Sequence, residues 1–198
     1  MEYFIGLTFD PGSIHYKKIE SFRKRFDPKF EKAEVLQLTI LPPFSVDFQR
    51  KEDETKFVEE LTELLEGHLY GLDALSQMEF NGITFSMGKK GVLSLTPIIS
   101  PDILHCQESL YFFLKEYGVK FNKSKNAGNP LLPIGRFEFT DSMEAAIETA
   151  KIEFSSPFVM VAESFVLFLK TPREWKNKNN LFDFDNRNHF FFVNQLYA

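Results

Sequence analysis

Gln37 and Thr39 lie two residues apart in a segment whose other residues are apolar. Side chains two positions apart in a β-strand share one face, so both would project from the same side of a strand. An amide and a hydroxyl can hydrogen-bond a ligand, but neither titrates near neutral pH. Pro42 and Pro43 follow, and we expect the strand to end there because proline cannot donate a ladder hydrogen bond. The sequence therefore predicts a polar pair at the open end of a strand, suited to a binding or catalytic site.

The composition limits the kinds of partner this protein can have. Its 198 residues are 43% hydrophobic, enough for a sizeable core, and its net charge is −5. Broad nucleic-acid binding needs a basic field, so we expect none, although a local site for one or two phosphates is compatible with this charge. Cys106 is the single cysteine, which excludes an internal disulfide and a cysteine metal cluster. We expect no signal peptide, and the sequence contains no stretch of roughly 18 apolar residues. We expect a cytoplasmic monomer without membrane contact, metal or cofactor.

Helical and strand-like patterns alternate along the whole chain. Apolar residues at 3,4 spacing predict helices, and alternating or β-branched runs predict strands. The predicted strands are 3–9, 35–41, 83–86, 92–96, 131–139, 158–170 and 189–197; the predicted helices are 13–26, 53–67, 101–117 and 141–151; the segments 45–51, 122–129 and 171–180 are predicted loops. This order of elements indicates an α+β fold.

The chain contains a weak internal repeat. Pro11 and Pro101 each open a helix after a strand, and each helix leads to a short strand, 37–40 in one case and 131–134 in the other. Strand, helix, strand, repeated, predicts two pseudo-symmetric lobes of antiparallel sheet with helices on their outer faces and a central cleft. We expect residues 1–198 to form one bilobal domain in which the two equivalent strands face each other across the cleft.

This order of elements resembles the two-histidine phosphoesterases, the LigT-like or 2'-5' RNA ligase-like superfamily. Each lobe of that family has a His-x-Thr/Ser motif on a central strand. Residues 37–44, Gln-Leu-Thr-Ile-Leu-Pro-Pro-Phe, are similar to the first motif with its following hydrophobic residues and proline. Residues 130–136, Pro-Leu-Leu-Pro-Ile-Gly-Arg, resemble the second, which commonly reads Pro-His-x-Thr-Leu/Ile-Gly/Ala-Arg. The resemblance covers nearly the whole chain, but neither motif is intact.

The resemblance implies a site that has lost its acid and its base. In the family the two histidines transfer protons at a cyclic or 2'-5' phosphodiester, and the hydroxyls hold phosphate oxygens. The two histidine positions are Gln37 and Leu131 here, and their hydroxyl partners are Thr39 and Pro133. Each positioned acid or base is typically worth about 10²–10⁴-fold in rate. The resemblance therefore implies no catalytic residue, and a non-catalytic module that binds a small nucleotide or an RNA end or serves in protein interaction.

Two other hypotheses remain open. One is an active cyclic-nucleotide or RNA 2'-5' phosphodiesterase or ligase-like enzyme with relocated catalytic groups, for which His189 is the candidate. The other is an unrelated α+β protein. Arg136 could hold an anion, but it lies five positions after Leu131, which places it on the opposite face of a regular strand. The predicted ligand-binding residues are Gln37, Thr39, Arg136 and His189, and we interpret the remaining histidines and the cysteine as structural.

Overall fold

The computed structural model describes residues 1–27, 30, 35–69, 76–87, 91–121, 130–137, 141–171 and 175–184. The fold is α+β, as the sequence predicts. The elements in chain order are β1 (Glu2–Phe9), α1 (Ile14–Phe26), β2 (Gln37–Ser45), α2 (Lys51–Leu69), β3 (Gln77–Met87), β4 (Gly91–Pro97), α3 (Pro101–Glu116), β5 (Lys120–Phe121), β6 (Leu132–Phe137), α4 (Asp141–Glu153), β7 (Phe158–Lys170) and β8 (Trp175–Asp183). No helix within these ranges has the length and apolar character needed to cross a membrane.

The strands form one sheet in the order β5-β2-β1-β7-β3-β4-β6, and β8 pairs with β7. The central strand is β7. It pairs with β1 through Ala162–Leu169, with β3 through Phe158–Val161 and with β8 through Ser164–Lys170, always antiparallel. Its 13 residues therefore join a first half of the sheet, around β1 and β2, to a second half, around β3, β4 and β6.

The helices cover one face of the sheet and bury the main core. Ile5 and Leu7 of β1 are fully buried there with Ile19 and Phe22 of α1, the apolar stripe predicted for that helix. Because β1 side chains alternate between faces, its even-numbered residues lie on the other side of the sheet. We call that second side, away from the helix-packed core, the open face. Phe4, Val166 and Phe168 form a small separate cluster on it.

The prediction that β2 ends at the prolines is wrong. The strand runs from Gln37 to Ser45. Tyr3 of β1 pairs with Phe44, and Ile5, two residues further along β1, pairs with Leu41, which is three residues from Phe44. Pro42 and Pro43 lie within this irregularity. A β-bulge disrupts the ladder locally, so residues without a backbone N–H can be accommodated there. A locally irregular pairing therefore replaces the expected strand end.

A further bulge lies beside the polar pair on β2. Ile5 pairs with Leu41, and the next residue of β1, Gly6, pairs with Thr39. Ile40 is therefore an extra residue with no partner opposite it. Side chains before and after such a residue change their alternation, which is why Ile40 and Leu41 are both buried.

The β4–β6 pair has a bulge at the equivalent place. Leu93 pairs with Gly135, and the next residue, Ser94, pairs with Pro133, which leaves Ile134 as the extra residue. The order of paired and extra residues matches that of β1 and β2. Two strand pairs with the same register shift support the pseudo-symmetric lobes more specifically than the sequence repeat did.

Gly135→Ala is expected to lower the free energy of unfolding by about 1–3 kcal/mol, the usual cost of overpacking a core. An ideal Cβ at this position would lie 2.5 Å from the Phe137 ring, which is 1% exposed. Gly67→Ala on α2 is the control, because nothing lies within 4 Å of its Cβ. Inside a helix that change should stabilise by about 0.5–1 kcal/mol. Urea denaturation measures the free energy of unfolding of both variants. A Gly135→Ala protein as stable as the wild-type protein would contradict the close contact.

Other predicted boundaries need correction. The helix predicted at 53–67 extends to Lys51–Leu69, so Gly67 does not end it. The segment predicted as a loop at 171–180 contains most of β8, Trp175–Asp183. Asparagine and lysine disfavour strands locally, but pairing with β7 provides backbone partners that outweigh this preference. The loop predicted at 122–129 and the strand predicted at 189–197 lie outside the described residues.

Candidate functional site

Gln37 and Thr39 share the open face, as predicted. Both are half-buried, whereas Leu38 between them is buried in the helix-side core. Thr8 of β1 pairs directly with Gln37, and Gly6 pairs with Thr39. Because directly paired residues lie on the same side of a sheet, these four positions form one continuous patch. Gly6 has no side chain, and the rings of Phe168 and Phe4 lie over it, 3.0 Å and 3.2 Å from the position that a Cβ would take, so Thr39 stands beside this aromatic pair.

The side-chain carbonyl of Gln37 has no hydrogen-bond partner among the described residues, although its Oε1 atom is buried. The nearest polar neighbour along the ladder is engaged elsewhere: the Thr8 hydroxyl lies 3.2 Å from the Ser164 carbonyl and 3.0 Å from the Ser164 hydroxyl. An unsatisfied buried acceptor costs about 1–3 kcal/mol. A ligand N–H or O–H donor at this position would satisfy it.

The equivalent strand of the second half offers no comparable group. Leu131 and Pro133 are half-buried, whereas Leu132 and Ile134 are buried in the core. Cα atoms of β2 and β6 come within 8 Å of each other, so the structure brings the two predicted strands together. The site is therefore asymmetric, with hydrogen-bonding groups on β2 and apolar groups on β6.

Arg136 lies on the open face, and the prediction that it occupies the opposite face is wrong. The bulge at Ile134 shifts the alternation by one residue, so Gly135 and Phe137 are buried while Arg136 is exposed. It therefore shares a face with Pro133. A glycine within a strand pattern often marks a bulge, so Gly135 was the sequence signal that could have indicated this.

The other histidines make contacts away from this patch. The His15 ring stacks on Phe158 with centroids 4.7 Å apart, and the rings of His68 and His105 meet edge to face at 5.1 Å. None of these contacts involves β2 or β6. His189, the remaining predicted ligand-binding residue, lies outside the described residues.

Helix α3 of the second half contributes a residue that sequence reasoning missed. Gln107 Nε2 donates a hydrogen bond of 2.6 Å to the carbonyl of Ile40, the extra residue of the β2 bulge. This bond supports the backbone next to Thr39. The preceding residue, Cys106, is buried, and burial raises the pKa of its thiol to about 12. A thiol held protonated is a poor nucleophile, which agrees with a structural role.

A cavity of about 270 Å³ opens on the same face beside the Gln37 patch. Its lining residues are Thr8, Val35, Glu163, Ser164, Val166, Phe168, Asn177, Asn180 and Asp183. Sequence reasoning missed it because β8, which provides three of these residues, was predicted to be a loop. In the described chain no three histidine, cysteine, aspartate or glutamate side chains are grouped so that they could hold a metal ion.

Comparison with models of known protein families and with curated proteins finds no match for this sequence.

Proposed function

We propose that this chain is a two-histidine phosphoesterase-like protein that does not catalyse, and that it binds a small nucleotide or an RNA end in the cytoplasm through Gln37, Thr39 and Arg136. One observation supports this most: the bulged strand pair occurs twice, so that Gln37 and Thr39 are the equivalents of Leu131 and Pro133. These are the four positions that the family resemblance assigns to the two motifs.

Each side chain has a role compatible with binding. The Thr39 hydroxyl donates to a phosphate oxygen, and the buried Gln37 Oε1 accepts from a ligand N–H or O–H. Arg136, exposed on the open face of β6, offers the positive charge that a phosphate needs. Neither the Gln37 amide nor the Thr39 hydroxyl can act as a general acid or base near neutral pH, and Leu131 has no proton to exchange, so binding without turnover follows.

Calorimetric titration with 2',3'-cyclic nucleotides and 2'-5' linked oligonucleotides tests the proposal. Thr39→Val keeps the shape of the side chain but removes the hydroxyl. Because a hydrogen bond to a charged group contributes about 1.5–3 kcal/mol, the variant should bind at least about 10-fold more weakly. Thr62→Val is the matched control, since the Thr62 hydroxyl bonds the Val58 carbonyl at 3.0 Å within α2. Its affinity should equal that of the wild-type protein.

Two results would overturn the proposal. One is the absence of binding to every nucleotide and oligonucleotide tested. The other is turnover of either substrate class that disappears in Thr39→Ala, because the open face would then be an active site rather than a binding site.

A further inference from the structure

The cavity lies within reach of a ligand bound at Gln37. Thr8 lines the cavity and pairs directly with Gln37 across the β1–β2 ladder. Cβ atoms of directly paired residues are about 4.5–5.5 Å apart. Asp183, which also lines the cavity, pairs with Ser164 of β7, so β2 and β8 are three strand spacings apart, about 14 Å between backbones. A nucleotide that lies across the strands, with its phosphate at Thr39 and its base towards β8, spans this distance together with the side chains that contact its two ends.

The lining offers hydrogen-bond acceptors. Glu163 and Asp183 contribute carboxylates and Asn177 and Asn180 contribute carboxamides, and no lysine, arginine or histidine is among the lining residues that the structure describes. The two amides are ordered by a bond of 3.0 Å from Asn177 Nδ2 to Asn180 Oδ1. A carboxylate has about four lone-pair positions, so it can accept further donors beside an existing partner. A group with several N–H donors would therefore be stabilised here.

The walls and the size suit a flat ring. Phe168 is 2% exposed and stacks on Phe4 with centroids 4.5 Å apart and planes at 6°, which makes one wall apolar and rigid. Val166, also buried, continues this apolar wall, and the exposed Val35 supplies accessible apolar surface at the rim. Pockets for drug-sized ligands usually occupy about 300–1,000 Å³, so a cavity just below this range is suited to one base rather than a whole nucleotide.

Guanine matches this set of acceptors best. Its N1–H and its exocyclic N2 amine are adjacent and parallel, and a carboxylate accepts such a pair through both oxygens, as it does from arginine. Adenine and cytosine place a ring nitrogen acceptor beside their single exocyclic amine, so one carboxylate oxygen would face a lone pair. Asp183 is half-buried and Glu163 is exposed, so Asp183 is the better-placed acceptor.

We propose that this cavity binds the guanine base of the nucleotide whose phosphate lies at Thr39, with Asp183 accepting from N1–H and N2–H. The inference rests on the proposed function, because the phosphate site is part of the same ligand. It extends that function by naming the base and the residue that selects it.

Titrations with guanosine and adenosine 2',3'-cyclic phosphates, and with guanosine alone, test the inference. The wild-type protein should bind the guanosine cyclic phosphate at least about 10-fold more tightly than the adenosine cyclic phosphate, because guanine donates two hydrogen bonds to the carboxylate and adenine does not. Asp183→Asn should abolish this preference and weaken the binding of guanosine itself. Thr39→Val should leave the affinity for guanosine unchanged. Glu144→Gln on the exposed surface of α4 is the matched carboxylate control and should retain the preference.

Each result discriminates between the two proposals. Equal affinity for both bases, or a preference that survives in Asp183→Asn, overturns the guanine assignment and leaves the proposed function intact. Guanosine that binds as tightly as its cyclic phosphate overturns the proposed phosphate site and leaves the cavity assignment intact. No binding of any of these compounds overturns both. If Asp183→Asn does not fold, inosine 2',3'-cyclic phosphate replaces it as the test, because inosine lacks the N2 amine and should bind more weakly.

Discussion

Replacing Gln37 and Leu131 together by histidine is expected to produce phosphodiesterase activity, with hydrolysis of a 2',3'-cyclic nucleotide at least about 100-fold faster than in the wild-type protein. The two positions are equivalent in the duplicated strand pair, and β2 and β6 approach within 8 Å between Cα atoms. Histidine at both would provide one group that accepts a proton and one that donates it. Each single variant should gain less, because one group then performs both transfers unaided.

A matched control distinguishes the effect of a histidine pair at these two positions from the effect of adding histidines to any sheet surface. Gln77 and Val161 are also a glutamine and an aliphatic residue, both exposed, and they pair directly between β3 and β7. Gln77→His with Val161→His should leave hydrolysis at the wild-type level. The prediction would be contradicted by a folded Gln37→His, Leu131→His protein that binds the cyclic nucleotide and still hydrolyses it no faster than the wild-type protein.

Gln37→Leu is expected to stabilise the protein by about 1–2 kcal/mol while weakening nucleotide binding. The substitution removes a buried acceptor that has no partner in the described chain, and leucine is the residue already present at the equivalent position 131. Urea denaturation gives the stability, and the calorimetric titration gives the affinity. Opposite effects in the two measurements are characteristic of a group retained for function at a cost in stability.

Gln77→Leu is the control for this second prediction. Its amide is exposed on β3, so the change should stay within about 0.5 kcal/mol of the wild-type stability. If Gln37→Leu destabilised the protein, its amide would have to be paired in the free protein, and the role of Oε1 as a ligand acceptor would be contradicted.

The sequence determined the features that depend on local periodicity. Alternation over residues 37–40 correctly placed Gln37 and Thr39 on one face, because side-chain direction in a strand depends only on position along it. The apolar stripes of the helices and the hairpin of β3 and β4 follow from the same kind of local pattern. The family resemblance and the role of His189 stay predictions.

Tertiary structure decided the features that depend on a partner strand. The bulges at Ile40 and Ile134 arise from the register between two strands. A glycine such as Gly135 can mark a bulge, but it does not specify which residues pair across it. The bulge at Ile134 turns Arg136 to the open face, and a separate irregularity between the pairs of Tyr3 and Ile5 carries β2 through its prolines. Pairing with β7 likewise makes a strand of the asparagine-rich segment that borders the cavity. The polar pair was therefore visible in the sequence, whereas the surface around it exists only because distant strands are paired.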